Sequence, residues 1–207
     1  KLKPKNIIAV TGTNGKSSVA DFFYQLLSFN KVLVSSIGTL GIHSKYYNKK
    51  TKLTTPDPVF LHKNLQSLKK NKVNHVILEA SSHGLDQKRL NNLSIKAGIF
   101  TNLSHDHLDY HGNMKSYFNS KMYLFKNLLT KKSKVVTDEK NKEFKKIKKK
   151  AKKRNLQIIN IGDKSSYIKI LGNKYVGDKQ LVKISVKSKV FFLTIPLVGY
   201  FQVKNLL

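Results

Sequence analysis

The segment at residues 11–18, with the sequence TGTNGKSS, has the residue types that bind phosphate. It follows the apolar residues 7–10 and precedes a stretch with helical spacing of apolar residues, so it connects a strand to a helix. Its glycines let successive backbone N–H groups face one anion, and the helix start adds partial positive charge. Lys16 can reach the β- and γ-phosphates of a nucleotide, and the Ser17 hydroxyl can hold Mg²⁺. The standard pattern starts with glycine where this chain has Val10.

A second candidate is Glu79, which ends the apolar run at residues 76–78. A carboxylate at the end of a buried strand is costly unless it is paired or binds a metal. In phosphate-loop proteins the acid on a neighbouring strand usually holds the Mg²⁺ shell. The alternative is a strand-end glutamate in solvent.

A third candidate is the run HDHLDYH at residues 105–111, which holds three histidines and two aspartates. It nearly matches the H-x-H-x-D-H pattern of dinuclear metal hydrolases, but Tyr110 stands where the third histidine should be. Local sequence alone favours surface or capping roles for these histidines. Beside a nucleotide loop, one of them is favoured as a ligand of a second Mg²⁺.

Two hydroxyl side chains, Thr54 and Thr55, precede the sequence Pro56-Asp57-Pro58. They could bind an anionic substrate or cap a helix that starts near residue 58. Local sequence favours the cap.

The elements that must position these residues alternate along the chain. Strands are predicted at 6–10, 32–36, 75–79, 97–101, 134–137 and 157–161, and helices at 16–29, 58–71, 114–128 and 139–154. This alternation predicts an α/β fold, a doubly wound and mostly parallel sheet with helices on both faces. Ligands of such sheets bind at the carboxyl ends of the strands, and each chemical cluster follows a predicted strand.

After about residue 166 the pattern changes to alternating segments at 167–171, 181–186 and 190–195. Turn signals at Gly172-Asn173 and Gly177-Asp178 separate them. They predict a small antiparallel β appendage, joined to the main sheet or lying on it. Residues 198–207 are predicted to be a loop that enters a helix.

Composition limits the classes of function. The 207 residues include 40 Lys and Arg against 11 Asp and Glu, a net charge of +29. Only Arg89 and Arg154 are arginines, whereas readers of nucleic acids favour Arg, so nucleic-acid binding is not expected as the main function. The basic run at 140–154 is predicted to be one solvated helix with Phe144, Ile147 and Ala151 on its inner face.

The absence of cysteine excludes disulfides, thiolate metal sites and a cysteine nucleophile. No apolar run is long enough for a transmembrane helix, so we expect no membrane partner and a cytoplasmic location.

The chain resembles the Mur ligases, the ATP-dependent amide-bond synthetases of peptidoglycan assembly. Four stretches carry the resemblance, at residues 11–16, 79–85, 100–112 and 199–207. It implies that residues 1–207 are the family's central ATPase domain, truncated at its C-terminal end. The amino-terminal UDP-binding and carboxy-terminal amino-acid-binding domains would lie outside this sequence.

The resemblance also implies roles for individual residues. ATP and the first Mg²⁺ would be held by Gly12, Thr13, Asn14, Gly15, Lys16, Ser17 and Ser18, with Asn205 near the nucleotide base. Glu79 and His107 would be further metal ligands. The muramoyl-peptide substrate would face Thr54, Thr55, Ser81, Gln87 and Arg89. Lys121, which local sequence alone would make an exposed lysine, matches a family lysine that is carbamylated and binds Mg²⁺. Gln202 departs from the family's usual Asn, and His105 has no implied role.

The segments SSHGL (81–85) and DHLDYHG (106–112) resemble those of the family branch that extends UDP-N-acetylmuramoyl-L-alanyl-D-glutamate. The implied reaction is ATP-dependent ligation of diaminopimelate or lysine through an acyl phosphate. The protein would be a monomer, and this fragment alone would be inactive. Three alternatives remain at this stage: an ATP-binding module without catalysis, a folylpolyglutamate-type ligase and a dinuclear metal hydrolase.

Overall fold

The computed structural model describes residues 3–163 and 167–207. In this part of the chain the strands are β1 (Asn6–Thr11), β2 (Val34–Gly38), β3 (Gly41–Ser44), β4 (His75–Glu79), β5 (Ile95–Phe100), β6 (Leu129–Asp138), β7 (Gln157–Gly162), β8 (Ile168–Val176), β9 (Lys179–Val186) and β10 (Lys189–Ile195). The helices are α1 (Lys16–Phe29), α2 (Pro58–Lys70), α3 (Ser82–Asp86), α4 (Leu108–His111), α5 (Met114–Tyr123), α6 (Phe144–Lys153) and α7 (Tyr200–Leu206). A π-helical segment, Leu124–Leu128, extends α5.

The strands form one sheet in the order β10-β9-β8-β7-β6-β5-β1-β4-β2-β3. Strands β2, β4, β1, β5, β6, β7 and β8 pair in parallel. Strand β3 and the two strands β9 and β10 pair antiparallel at opposite ends. The predicted α/β class, the mostly parallel sheet and the antiparallel appendage are confirmed, and the appendage continues the main sheet through β7 and β8.

Strand β1 lies inside the sheet, between β5 and β4, and most of its residues are buried. Ile7, Ala9 and Val10 are at most 1% exposed. It pairs with β4 on one side and β5 on the other, so the chain winds outward from β1 in both directions. The carboxyl ends of β1, β4 and β5 therefore meet at the switch point of the sheet, where such folds bind ligands.

Helix α2 shows how the core forms from helical spacing. Leu61, Leu65 and Leu68 recur at intervals of four and three residues, lie on one face and are at most 1% exposed. Asp57 caps the helix by accepting a hydrogen bond from the Phe60 N–H at 2.9 Å, and Pro58 occupies the first turn. The preference for Thr54 or Thr55 as the cap is therefore wrong.

The basic helix α6 follows its predicted pattern. Ile147 and Ala151 are buried and Phe144 is half-buried, while the lysines lie on the outer face. The helix begins at Phe144 rather than near residue 139, because residues 139–143 form turns after β6. The predicted helix at 114–128 ends its α-helical part at Tyr123.

Other boundaries also differ from prediction. Strand β2 begins at Val34, two residues later than predicted, and the hairpin strand β3 was missed because it has only four residues. Gly172-Asn173 is not a turn. Both residues lie inside β8, where the pairing with β9 shifts register between Ile170 and Gly172, and a glycine inside a strand often marks such a bulge. Gly177-Asp178 is the turn between β8 and β9.

The appendage has its own small core. Ile170, Val182, Ile184 and Ile195 of the antiparallel strands pack with Val203 of α7. Helix α7 also packs against α1, the helix that follows the glycine-rich loop. The end of the described chain is thereby brought to the same edge of the sheet as the candidate site.

Candidate active site at the carboxyl edge of the sheet

The loop at residues 12–15 curls at the carboxyl end of β1 and is held by the end of β5. The Thr13 N–H donates to the Asn102 carbonyl at 3.0 Å, and the Asn14 N–H donates to Asn102 Oδ1 at 2.9 Å. Gly15 has φ +84°, a left-handed conformation that favours glycine, and directly precedes α1. Val10, which replaces the first glycine of the standard pattern, is buried within β1 and is not part of the curl.

Lys16 points back into the curl of the loop. Its Nζ donates to the Gly12 carbonyl at 3.1 Å and to the Thr13 carbonyl at 2.8 Å. Burial lowers the pKa of this amine, and the carboxylates of Glu79 and Asp106 partly oppose that effect. The side chain therefore presents a donor beside the loop amides, where phosphate oxygens would be bound.

Glu79 is 3% exposed at the carboxyl end of β4, so the solvent-exposed alternative is wrong. Ser17 Oγ donates to its Oε2 at 2.8 Å. Thr39, directly after β2, donates its N–H to Oε1 at 2.8 Å and its hydroxyl to Oε2 at 3.2 Å. These donors compensate the cost of burying the carboxylate.

Gly38 makes the position of Glu79 possible. A Cβ at Gly38 would lie 2.1 Å from Glu79 Oε1, so the Glu79 side chain would have to shift to accommodate it. The oxygen atoms of Ser17 and Glu79 are hard donors of the kind that Mg²⁺ prefers, and Mg²⁺ commonly takes its other ligands from phosphates and water. This pair therefore fits the chemistry of a Mg²⁺–nucleotide site.

A second group of hydroxyls lies beside the end of β4. Thr55 Oγ1 donates to the Glu79 carbonyl at 2.8 Å and lies 3.1 Å from Ser81 Oγ. Thr54 Oγ1 lies 3.0 Å from Thr39 Oγ1. The Arg89 guanidinium donates from Nη1 to the Thr55 carbonyl at 2.8 Å and also binds Gln87. The structure thus brings together the residues predicted to face the substrate.

The histidine run gives a cluster of rings rather than a chelate. His83 packs edge-on against His107 at 4.9 Å and at a tilt against His111 at 5.5 Å between ring centroids. His107 is half-exposed, has φ +52° and lies 6.1 Å from the Tyr117 ring. Within residues 3–163 and 167–207, no three His, Cys, Asp or Glu side chains are close enough to hold a metal among themselves.

Lys121 is 1% exposed, so the expectation of a surface lysine from local sequence is wrong. Its Nζ donates to the Gly12 carbonyl at 2.8 Å and lies 4.2 Å from the centre of the Tyr117 ring. Burial, with the nearby charge of Lys16 as a second cause, lowers its pKa to about 7. Much of this amine is therefore neutral near physiological pH.

Asn205 of α7 lies against the loop from the opposite side. A Cβ at Gly15 would lie 2.7 Å from Asn205 Oδ1, and Asn205 Nδ2 donates to Gln202 Oε1 at 3.0 Å. The unusual Gln202 thus orients the Asn205 amide. A cleft of about 510 Å³ opens beside it between α1, α7 and strands β5 and β6.

Three residues with important contacts were missed from the sequence. Asn102 holds the loop and Thr39 holds Glu79, as described above. The Tyr117 hydroxyl lies 3.1 Å from Thr13 Oγ1, and the Tyr117 ring packs against the Lys121 amine. Tyr117 precedes Lys121 by four residues on α5, so helical spacing could have indicated that the two share a face. Thr39 gave no such signal.

None of the helices described is sufficiently long and apolar to span a bilayer.

Residues 10–207 match the family described as Mur ligase middle domain. The chain is 40% identical over 205 residues to a UDP-N-acetylmuramoyl-L-alanyl-D-glutamate–2,6-diaminopimelate ligase of Chelativorans sp. (strain BNC1). The aligned region covers 99% of this chain and 42% of that protein. A relative of the same name from Brucella melitensis is 37% identical with the same coverage. The chain thus spans about two fifths of the length of these relatives.

Solved structures agree on the fold. A structure of a UDP-N-acetylmuramoyl-L-alanyl-D-glutamate–2,6-diaminopimelate ligase superposes with a TM-score of 0.88 at 31% identity, over 99% of this chain and 42% of that one. MurF ligase from Thermotoga maritima in complex with ADP has a TM-score of 0.74 at 16% identity, covering 98% of this chain and 43% of that one. An FPGS–AMPPCP complex has a TM-score of 0.74 at 18% identity, covering 99% and 57%. At these lower identities the likeness concerns the fold alone.

The central strand, the glycine-rich loop and the helix that starts at Lys16 define a phosphate-loop α/β domain. The chain belongs to the Mur ligase family, and the match covers the family's middle domain.

The first prediction concerns the charge of Lys121. Its pKa falls from 10.5 to about 7 on folding, so between these values the unfolded chain binds the proton that the folded chain has lost. The free energy of unfolding contributed by this residue therefore rises with pH across that window and is lowest below pH 7. Replacing Lys121 by Met removes the titration.

We expect the stability advantage of Lys121→Met over the parent chain to be largest near pH 6 and to shrink as the pH approaches 10.5. Urea unfolding of both proteins in carbon-dioxide-free buffers measures this difference. Parallel pH profiles for the two proteins would show that the folded amine titrates normally.

Proposed function

We propose that this chain is the ATP-binding central domain of a ligase that adds diaminopimelate to UDP-N-acetylmuramoyl-L-alanyl-D-glutamate. ATP would phosphorylate the glutamyl carboxylate to give an acyl phosphate and ADP. The amino group of the incoming amino acid would then attack the activated carbonyl, and phosphate would leave. The enzyme would act as a cytoplasmic monomer, where ATP is available, without nucleic acid or membrane.

The main support is the convergence of Lys16, Ser17, Glu79 and Lys121 around one turn of the loop. Two amines reach the same Gly12 carbonyl, and the buried carboxylate binds the hydroxyl next to Lys16. The sequence relatives at 40% and 37% identity carry the name of this ligase, which favours diaminopimelate over lysine.

Lys16 and the loop would bind the phosphates. Direct attack of a carboxylate on ATP brings two anions together, so the reaction depends on neutralising charge and on orientation. The Lys16 amine and the N–H groups at the start of α1 supply fixed positive charge where the transferred phosphoryl group carries negative charge. Asn205, packed against Gly15, would contact the base side of the nucleotide.

Ser17 and Glu79 would hold Mg²⁺ together with phosphate oxygens, and His107 would contribute to a second metal position. Bound Mg²⁺ supplies Lewis-acid polarisation and charge neutralisation at the phosphates. Thr39 keeps the Glu79 carboxylate oriented through its two hydrogen bonds.

Lys121 would act as a carbamate. The neutral amine attacks carbon dioxide, forms an N–C bond and releases a proton, which turns a positive or neutral tip into a carboxylate. The lowered pKa of Lys121 supplies the neutral amine that this step requires. The resulting anion would be favoured beside Lys16 and bound cations.

The substrate would lie across Thr54, Thr55, Ser81, Gln87 and Arg89. Arg89 would neutralise an anionic group of the muramoyl peptide, and the hydroxyls would orient it. A folylpolyglutamate-type ligase shares this fold, with a TM-score of 0.74 at 18% identity. The named relatives at much higher identity favour the muramoyl substrate instead.

The deciding experiment is phosphate release by the full-length protein with ATP, Mg²⁺, UDP-N-acetylmuramoyl-L-alanyl-D-glutamate and diaminopimelate, in parallel with lysine and with a folate substrate. We expect turnover with diaminopimelate only. The isolated residues 1–207 should bind ATP without turnover. ATP binding by the full-length protein with no turnover on any substrate would favour the binding-module alternative.

A second prediction tests the role of Glu79 through Gly38. The Cβ of Gly38→Ala would displace the Glu79 carboxylate, so affinity for Mg²⁺–ATP should fall by about 10–100-fold, as for other changes that misorient a metal ligand. Calorimetric titration of the folded variant measures it. Gly172→Ala is the matched control, because a Cβ there meets nothing within 4 Å. Equal affinities for both variants would contradict the assignment of Glu79.

A third prediction concerns catalysis by Lys121. In the full-length enzyme Lys121→Ala should lower kcat by at least about 100-fold, the size expected when a buried electrostatic group is removed. Short carboxylic acids should partly restore activity by filling the position of the carbamate. Phosphate release measures both effects. Wild-type activity in the variant, or a loss that carboxylic acids never restore, would argue against the carbamate.

A further inference from the structure

A chain of hydrogen bonds connects the histidine run to the predicted substrate residues, and Tyr110 is its first member. The Tyr110 hydroxyl donates to Asp86 Oδ2 at 3.0 Å. It also accepts from Gln87 Nε2 at 3.3 Å. Gln87 Oε1 in turn accepts from Arg89 Nε at 3.0 Å and from Arg89 Nη2. Arg89 then reaches the Thr55 carbonyl.

The direction of these bonds fixes the amide of Gln87. A hydroxyl that gives its only proton to the Asp86 carboxylate has only lone pairs left for Gln87. Gln87 must therefore turn its NH₂ group toward Tyr110 and its oxygen toward Arg89. The flat tyrosine ring is itself held by His83 at 4.1 Å and His111 at 4.7 Å between centroids.

The orientation of Gln87 sets what Arg89 can offer. A guanidinium has five N–H donors. Gln87 takes one on Nε and one on Nη2, and the Thr55 carbonyl takes one on Nη1. One N–H on each terminal nitrogen remains, and these two donors can bind an anionic oxygen of a carboxylate or phosphate. With the Gln87 amide reversed, an NH₂ group would face the guanidinium and the pair would separate.

We propose that Tyr110 is a positioning residue for the muramoyl-peptide substrate, acting through Gln87 to orient Arg89. This rests on the proposed function, in which Gln87 and Arg89 face that substrate. The phenol reaches two partners as donor and acceptor at once, whereas phenylalanine reaches neither.

Kinetics of the full-length enzyme test this. Tyr110→Phe removes the bonds to both Asp86 and Gln87, and losing the neutral bond that orients Gln87 should raise KM for UDP-N-acetylmuramoyl-L-alanyl-D-glutamate by about five- to tenfold. The kcat should stay within about twofold, and KM for ATP should not change, because the loop is held by other residues. Tyr123→Phe is the matched control. The Tyr123 hydroxyl donates to Asn91 Oδ1 at 2.9 Å. Because Tyr123 follows Lys121 by two residues, helical spacing places it on the other side of α5.

A double-mutant cycle separates positioning from a general structural role. If Tyr110 acts through Gln87, adding Tyr110→Phe to Gln87→Ala should raise KM no further than Gln87→Ala alone. Additive effects, an unchanged KM in Tyr110→Phe, or an equal rise in Tyr123→Phe would each overturn the proposal. An inactive parent enzyme would instead refute the proposed function, so the two failures are distinguishable.

Discussion

The burial of one carboxylate organises the site. Glu79 ends β4 with only 3% of its surface exposed, and its oxygens are bound by Ser17 after β1 and Thr39 after β2. A buried charge is stable only when such donors are fixed. Three strand ends are therefore held in register by a single acid, and Gly38 is required because any side chain there would occupy the space of Glu79.

Opposite this carboxylate, two buried amines meet at the Gly12 carbonyl. Lys16 and Lys121 come from helices far apart in the chain, and both have lowered pKa values because burial disfavours their charged forms. Their proximity favours the neutral form of Lys121, because the charge of Lys16 adds to the effect of burial. Two neighbouring lysines with lowered pKa values are typical of functional sites, because placing two amines together does not stabilise a core.

The rest of the charge is arranged differently. The chain has 40 basic residues, yet both of its arginines donate to backbone carbonyls, Arg89 at Thr55 and Arg154 at Lys126 and Leu129. These positions require a planar fork with several donors, which lysine cannot supply. On helix α6 the lysines lie on the outer face. The basic composition is therefore mainly a property of the surface, whereas the site depends on a few buried groups.

The sequence by itself determined the alternation of the main strands and helices and the glycine-rich loop, because apolar periodicity and glycine placement are local properties of the chain. It also identified Glu79 and Thr55 as chemically notable residues, but local rules assigned Thr55 to a helix cap that Asp57 provides. Burial of Lys121, the support of Glu79 by Thr39 and the link from Tyr110 to Arg89 were decided only by the tertiary structure. Each joins residues separated by 21 or more positions, or depends on which helix face meets the sheet. Such contacts follow from the order of strands in the sheet, which no local pattern encodes.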